Sequence, residues 1–226
     1  MIPLRDINPT RTFPLTTLLL IVANVLVFIY ELILPSEEAL QGFIYTMGAI
    51  PYEVVHSFGP RVAINLLTSI FLHAGFVHII GNMLFLWIFG NNVEDNMGRL
   101  RFAAFYLLCG FGASATQIAV APSSRVPIIG ASGAIAGVLG AYLPLFPHAQ
   151  IDTLLILGYF IRLVRLPAVL VIGLWVMLQL FSGLASLGIV QAGGVAWFAH
   201  IGGFIAGLLL VNIFRRRLQT LSPPYV

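Results

Sequence analysis

The sequence predicts an all-α membrane protein built as a bundle of six transmembrane helices. Of its 226 residues, 59% are hydrophobic and only 8% are charged, whereas an ordinary soluble domain carries roughly 25% charged residues. A chain of this composition cannot cover its surface with polar groups, so most of that surface must face lipid. We find no internal repeat, and we therefore expect a single membrane domain over residues 1–226.

Charged residues delimit the predicted spans, because a bilayer core about 30 Å thick requires about 20 apolar residues per helix. The first four spans are Phe13 to Tyr30 and the stretches between Arg61 and Glu94, between Arg101 and Arg125, and between Arg125 and Asp152. The uncharged stretch from Leu166 to Phe214 holds the fifth and sixth, with a turn expected at Gly188, Gly193 and Gly194. The apolar stretch from Thr153 to Ile161 is too short to cross, and we expect it at the interface or packed as a loop.

The distribution of arginine predicts the orientation of the bundle. With six spans, both chain ends fall on one side, together with nine of the eleven arginines; only Arg61 and Arg125 fall opposite. The positive-inside rule therefore predicts a multi-pass protein of the cell membrane, with a cytoplasmic N-terminal segment (1–12), a cytoplasmic C-terminal tail (215–226) and no cleaved signal peptide. The arginines form no stripe of the kind that binds nucleic acid, so the expected surroundings are the lipid bilayer.

Few polar side chains lie within the predicted spans, and those few are functional candidates because polarity inside a membrane is costly. His73, His78 and Asn82 lie on the second span, Ser132 begins the fourth, and His200 lies early in the sixth. His78 and Asn82 are four residues apart and share a helix face. Since the three spans run in the same direction, we expect all these residues at a similar depth in the outer half of the bilayer.

Small residues indicate which spans pack closely. They recur every four positions on two spans: Gly133, Gly137 and Ala141 on the fourth, Gly203 and Gly207 on the sixth. This pattern lets helix backbones approach one another. Close approach would bring the Ser132 hydroxyl within about 3 Å of a His200 ring nitrogen, the geometry of a serine nucleophile and its histidine base. Each feature alone is also typical of structural packing, and only their conjunction favours a catalytic site.

Three motifs in chain order resemble those of the rhomboid family of intramembrane serine proteases: HAGFVHIIGN, GASGAIAG and AHIGGFIAG. The first 25 residues also resemble prokaryotic members. The resemblance implies a six-helix rhomboid-type bundle that hydrolyses peptide bonds of transmembrane protein substrates, with Ser132 as nucleophile and His200 as base. It implies that the Ser132 backbone N–H, the Asn82 amide and His78 stabilise the oxyanion. We expect no cofactor and no metal.

Two positions depart from the family pattern. Ahead of Thr68, where members often carry Trp-Arg, this chain has Ile64 and Asn65. The residue four positions after the serine is Ala136, where some members have an aromatic side chain that supports the histidine ring. The anchoring of the outer loop and the orientation of His200 must therefore rest on other groups.

Other functions remain open on the sequence alone. A transporter or channel would use the histidines as a proton relay, and a non-proteolytic rhomboid-like protein would bind transmembrane partners, although such a protein is expected to lack Ser or His. The chain has no HExxH motif for a metalloprotease and no aspartate within a span for an aspartyl protease. No acidic residue lies near His200 in the sequence, so we expect a Ser-His dyad rather than a triad.

Overall fold

The computed structural model describes residues 1–186 and 195–216 of the chain. These residues form nine α-helices: α1 (Leu15–Leu32), α2 (Glu37–Met47), α3 (Pro51–His56), α4 (Pro60–Thr68), α5 (Phe76–Met97), α6 (Arg99–Val120), α7 (Ser132–Leu145), α8 (Ala168–Ser186) and α9 (Trp197–Phe214). They also form three strands: β1 (Ile2–Asp6), β2 (Gln150–Leu157) and β3 (Phe160–Pro167). The turn predicted at Gly188, Gly193 and Gly194 lies outside the described residues.

Six of these helices match the six predicted spans. Helices α1, α5, α6, α8 and α9 are long and apolar enough to cross a membrane, and α7 is a shorter apolar helix of 14 residues. The predicted six-helix bundle is thus confirmed. At 1.5 Å per residue, α7 is about 21 Å long and does not reach across a bilayer core of about 30 Å. Its residues from Gly133 to Tyr142 are all buried. Protein therefore surrounds this short helix, and its N-terminus lies inside the bundle.

Helix α7 packs against α9 with the two backbones in direct contact. A Cβ atom added to Gly203 would lie 2.0 Å from the carbonyl oxygen of Gly133, and one added to Gly207 would lie 2.0 Å from the carbonyl oxygen of Gly137. Any side chain at these two positions of α9 would therefore push the helices apart. The close packing predicted from the small residues of the fourth and sixth spans is confirmed.

The buried carboxylate of Glu94 joins the end of α5 to the start of α1. Glu94 accepts hydrogen bonds from the backbone N–H groups of Thr16 (2.9 Å) and Thr17 (2.7 Å) and from the Thr17 hydroxyl (2.8 Å). A carboxylate is favoured at a helix N-terminus because it pairs with free N–H groups and with the helix dipole. Helix α5 consequently continues past Glu94 to Met97, three residues beyond the charge that delimits the predicted stretch.

A three-stranded antiparallel sheet, in the order β1-β2-β3, lies at the same end of the bundle as the start of α1. The β2–β3 hairpin turns at Gly158, which has a φ of +58°, and it includes the stretch from Thr153 to Ile161. That stretch was predicted to be interfacial or a loop. It is extended because β1 and β3 pair its backbone N–H and C=O groups, which a loop would leave to solvent.

Short helices and loop contacts anchor the long connection between α1 and α5 without the Trp-Arg pair. Ala49 forms a β-bridge with Ile128, and the Tyr52 N–H donates to the Ser124 carbonyl at 2.9 Å. The Arg125 guanidinium lies 4.2 Å from the centre of the Tyr52 ring, a cation–π contact. These contacts attach the α2–α3 region to the loop that precedes Ser132.

The carboxyl of Asp6 in β1 makes the sheet a pH-sensitive part of the fold. It accepts hydrogen bonds from the Tyr142 hydroxyl at 2.9 Å and from the Asn92 side chain. Burial raises its pKa from the ordinary value of 3.8 to about 6. The folded protein therefore binds this proton more tightly than the unfolded chain does. The resulting stabilisation is complete below about pH 4 and is lost as the pH rises through about 6.

We therefore expect the thermal midpoint in detergent to decrease as the pH rises from about 4 to about 6. Asp6→Asn should remove this contribution to the pH dependence of the midpoint. An asparagine keeps an acceptor for Tyr142 but has no proton to lose. The matched control is Asp152→Asn in β2, whose carboxylate pairs with Arg165 near the surface; this variant should keep the slope due to Asp6. An Asp6→Asn protein with the wild-type pH slope would contradict the assignment.

Candidate active site

Ser132 is the first residue of α7 and follows a turn that requires glycine. Gly130 has a φ of +114°, and a Cβ atom there would lie 2.7 Å from the Cε1 and Nε2 atoms of His78. Both the backbone angle and the contact exclude a larger residue. The turn thus places the His78 ring beside the start of α7. The Ser132 N–H lies in the first turn of the helix, where amide groups have no partner within the helix.

The side chains of Ser132 and His200 meet between α7 and α9. The Ser132 Oγ atom lies 2.7 Å from the His200 Nε2 atom. His200 is only 8% exposed, and it is three residues before Gly203, whose contact with Gly133 fixes the spacing of the two helices. The glycine contacts between the helices therefore also set the distance between the hydroxyl and the imidazole.

Gln179 contacts the opposite side of the His200 ring. Its Oε1 atom lies 2.6 Å from His200 Nδ1, and its side chain is buried. The rings of Trp175 and Trp197 pack around the same imidazole, with centroids 5.8 Å and 6.2 Å away. Gln179 and Trp175 of α8, together with Trp197 of α9, thus supply the support that an aromatic residue at position 136 would give. Gln179 was not predicted from the sequence, although an amide within an otherwise apolar fifth span was a signal.

His73 holds the Asn82 side chain in place. The Asn82 Nδ2 atom donates to His73 Nε2 at 2.9 Å, and His73 Nδ1 donates to the Phe71 carbonyl at 3.2 Å. The His73 backbone N–H donates in turn to the buried carboxylate of Glu31 at 3.1 Å. Helix α5 begins only at Phe76, so His73 lies in the segment before the helix and not on the second span as predicted.

All four predicted site residues line one open cavity of about 1190 Å³: Ser132, His200, Asn82 and His78. Apolar side chains make up much of the remaining wall, including Phe85, Ile135 and Trp175. The volume lies above the roughly 300–1,000 Å³ of small-molecule sites. In the described part of the chain, no three His, Cys, Asp or Glu side chains come together as metal ligands.

This fold and site define a class of protein: a polytopic helical membrane protein in which a serine and a histidine are in contact inside an open cavity. Residues 60–217 match the Rhomboid domain, and the chain belongs to the rhomboid family.

Curated relatives carry the same family name. RHOMBOID-like protein 1 of Arabidopsis thaliana is 34% identical over 187 residues, which cover 82% of this chain and 41% of the relative. Rhomboid protein 1, mitochondrial, of Saccharomyces cerevisiae is 30% identical over 151 residues, or 65% of this chain and 40% of the relative. Rhomboid protease GluP of Bacillus subtilis is 44% identical over 79 residues, or 35% of this chain and 15% of the relative. The chain spans about half or less of the length of these relatives.

Proposed function

We propose that this protein is an intramembrane serine endopeptidase that hydrolyses peptide bonds in or near the transmembrane segments of membrane-protein substrates. The observation that carries the proposal is the 2.7 Å contact between Ser132 Oγ and His200 Nε2 in an open cavity. A serine hydroxyl is a weak nucleophile unless a base within hydrogen-bond distance takes its proton. The protease name of the Bacillus subtilis relative agrees with this chemistry.

The proposed reaction proceeds by acyl transfer. Ser132 Oγ attacks the scissile carbonyl carbon while its proton passes to His200 Nε2, and the carbonyl oxygen becomes an oxyanion. When the intermediate collapses, His200 gives the proton to the leaving amine and the C–N bond breaks. Water then attacks the acyl-enzyme with His200 again as base, which releases the carboxylic acid and restores the Ser132 hydroxyl.

Three donors are available for the oxyanion in this proposal. The Ser132 N–H is unpaired within its helix, and the N-terminal end of α7 favours negative charge. The Asn82 amide has two N–H groups, of which His73 engages one, so the second can donate into the cavity. The His78 ring lies against the Gly130 turn that leads to Ser132 and supplies the third donor.

We further propose that the sheet end of the bundle faces the cytoplasm of a cell membrane and that the cavity opens to the outer side. The arginine-rich segments support this orientation, because eight of the ten arginines in residues 1–186 and 195–216 belong to the segments at that end. A substrate carbonyl in an intact helix is hydrogen-bonded, so we expect cleavage where Gly or other helix-weakening residues occur near the outer end of a substrate span.

Incubation of the purified protein in detergent with a single-span substrate tests the proposal. The substrate carries a Gly-containing segment at its outer end, and a matched substrate has leucine in place of each glycine. We expect two fragments whose new ends, located by mass spectrometry, fall in the glycine-containing segment, and much slower cleavage of the leucine form. An intact substrate that co-purifies with the protein would instead indicate a non-proteolytic binding protein.

We expect Asn82→Ala to lower kcat by about a hundredfold with a smaller effect on KM, because an oxyanion donor acts mainly in the transition state. The measurement is the steady-state cleavage rate, with the thermal midpoint recorded for each variant. The matched control is Asn212→Ala, which removes an exposed amide near the C-terminal end of α9. This variant should retain the wild-type rate. An unchanged kcat in Asn82→Ala would remove this residue from the oxyanion site.

A further inference from the structure

We propose that Gln179 is a positioning residue that fixes the tautomer and the orientation of His200, so that the Ser-His pair works with a neutral amide as its third member. The inference rests on the proposed peptidase function. It is carried by a continuous chain of hydrogen bonds from α8 through His200 to Ser132. The chain of contacts determines where each proton lies.

The orientation of the Gln179 amide is set by its other contact. Its Nε2 atom donates to the carbonyl oxygen of Trp175, one turn earlier on α8, at 3.3 Å. The amide nitrogen is thus directed toward a group that can only accept, and Oε1 is directed toward His200 Nδ1 at 2.6 Å. A flipped amide would place two carbonyl oxygens together and leave the NH₂ group against the imidazole.

An amide oxygen only accepts hydrogen bonds, so His200 Nδ1 must carry a hydrogen. In the neutral imidazole the lone pair then lies on Nε2, which is 2.7 Å from Ser132 Oγ. This is the tautomer that accepts the serine proton. With the opposite tautomer, Nε2 would donate to the hydroxyl, and no base would be available to the nucleophile.

The depth of the site explains why an amide suits this position. Gln179 is 6% exposed and His200 is 8% exposed, and both lie on helices long and apolar enough to span a membrane. A carboxylate buried at this depth would carry a large desolvation cost. The amide orients the ring without that cost. It also places the imidazole-orienting group on α8, a different helix from those that carry Ser132 and His200.

The test compares Gln179→Met with Gln179→Glu. Methionine has a similar length and apolar packing but is a poor acceptor. We expect it to lower kcat about 10- to 100-fold, by analogy with the loss found when a group that orients a metal-binding histidine is removed. We expect KM and the thermal midpoint to stay close to those of the wild type. The rate of fluorophosphonate labelling should fall by a similar factor. Glutamate keeps an oxygen acceptor at Nδ1 and should recover much of the activity lost in Gln179→Met, with a lower thermal midpoint because its carboxyl group is costly to bury.

A merely structural role for Gln179 predicts the reverse ranking of the two variants, with Gln179→Met more active than Gln179→Glu. The apolar methionine would then be tolerated, and the buried acidic side chain of Gln179→Glu would be the damaging change. Leu178→Met, on the exposed side of the same helix, controls for perturbation of α8. If Ser132→Ala is inactive while Gln179→Met retains the wild-type kcat and labelling rate, the positioning role is wrong and the peptidase proposal stands. If the wild-type protein cleaves no substrate, the peptidase proposal itself fails.

Discussion

Ser132→Ala is expected to abolish cleavage of a transmembrane substrate, and His200→Ala is expected to be nearly as severe. The nucleophile and its base act as one unit, so either loss should lower kcat on the order of 10⁶-fold, as in soluble serine proteases. The double variant should then be no slower than either single variant. The measurement is the kcat of the purified proteins in detergent, together with thermal midpoints that show whether each variant remains folded.

Two substitutions of the same residue types serve as controls. Ser123→Ala lies in the exposed part of the loop before α7, and His148→Ala lies in the exposed connection after it. Neither residue lines the cavity, so both variants should cleave at the wild-type rate. Cleavage by Ser132→Ala at the wild-type rate would refute the assignment of the nucleophile.

The second large effect is expected at the contact between α7 and α9. Gly203→Ala adds a Cβ atom 2.0 Å from a backbone oxygen of α7, a clash that no side-chain rotation relieves. Overpacking typically costs about 1–3 kcal/mol and occasionally more, and a backbone clash belongs at the upper end. For a chain of this length, about 3 kcal/mol lowers the thermal midpoint by roughly 6–12 °C.

This variant should also lose activity, because the same contact sets the distance between Ser132 Oγ and His200 Nε2. Gly173→Ala on α8 is the matched control, since a Cβ atom there meets nothing within 4 Å; it should leave both the midpoint and the rate unchanged. A Gly203→Ala protein with wild-type stability and activity would show that the backbone contact does not hold the site together.

The spans were predictable from sequence because their signal is local and strong. The uncharged stretches and the four-residue spacing of glycine indicated six helices and the close contact of the fourth with the sixth. The sheet was not predicted, because the apolar stretch around Thr153 was judged by its length alone and not by its pairing with neighbours. Helix α5 extends past the charge at Glu94 because that carboxylate accepts hydrogen bonds from N–H groups of α1, a partner distant in sequence.

The candidate site residues could be predicted from the sequence only where a polar side chain was conspicuous within an apolar span. Ser132, His200, Asn82 and His78 are conspicuous polar groups in apolar spans, and the structure brings all four to one cavity. Gln179 was not predicted although its amide interrupts an apolar span, because only the packing of α8 against α9 reveals its partner. The role of His73 was likewise hidden, because the start of α5 at Phe76 removes it from the helix on which spacing had placed it.

The most direct test of the Ser132–His200 pair is to treat the purified protein with a serine-directed fluorophosphonate and to locate the adduct by peptide mass spectrometry. We expect a single adduct on Ser132 in the wild-type protein and none in His200→Ala, because the unassisted hydroxyl is too weak a nucleophile to react at a comparable rate. An unlabelled wild-type protein, or equal labelling of Ser132 with and without His200, would contradict the assignment of these two residues as nucleophile and base.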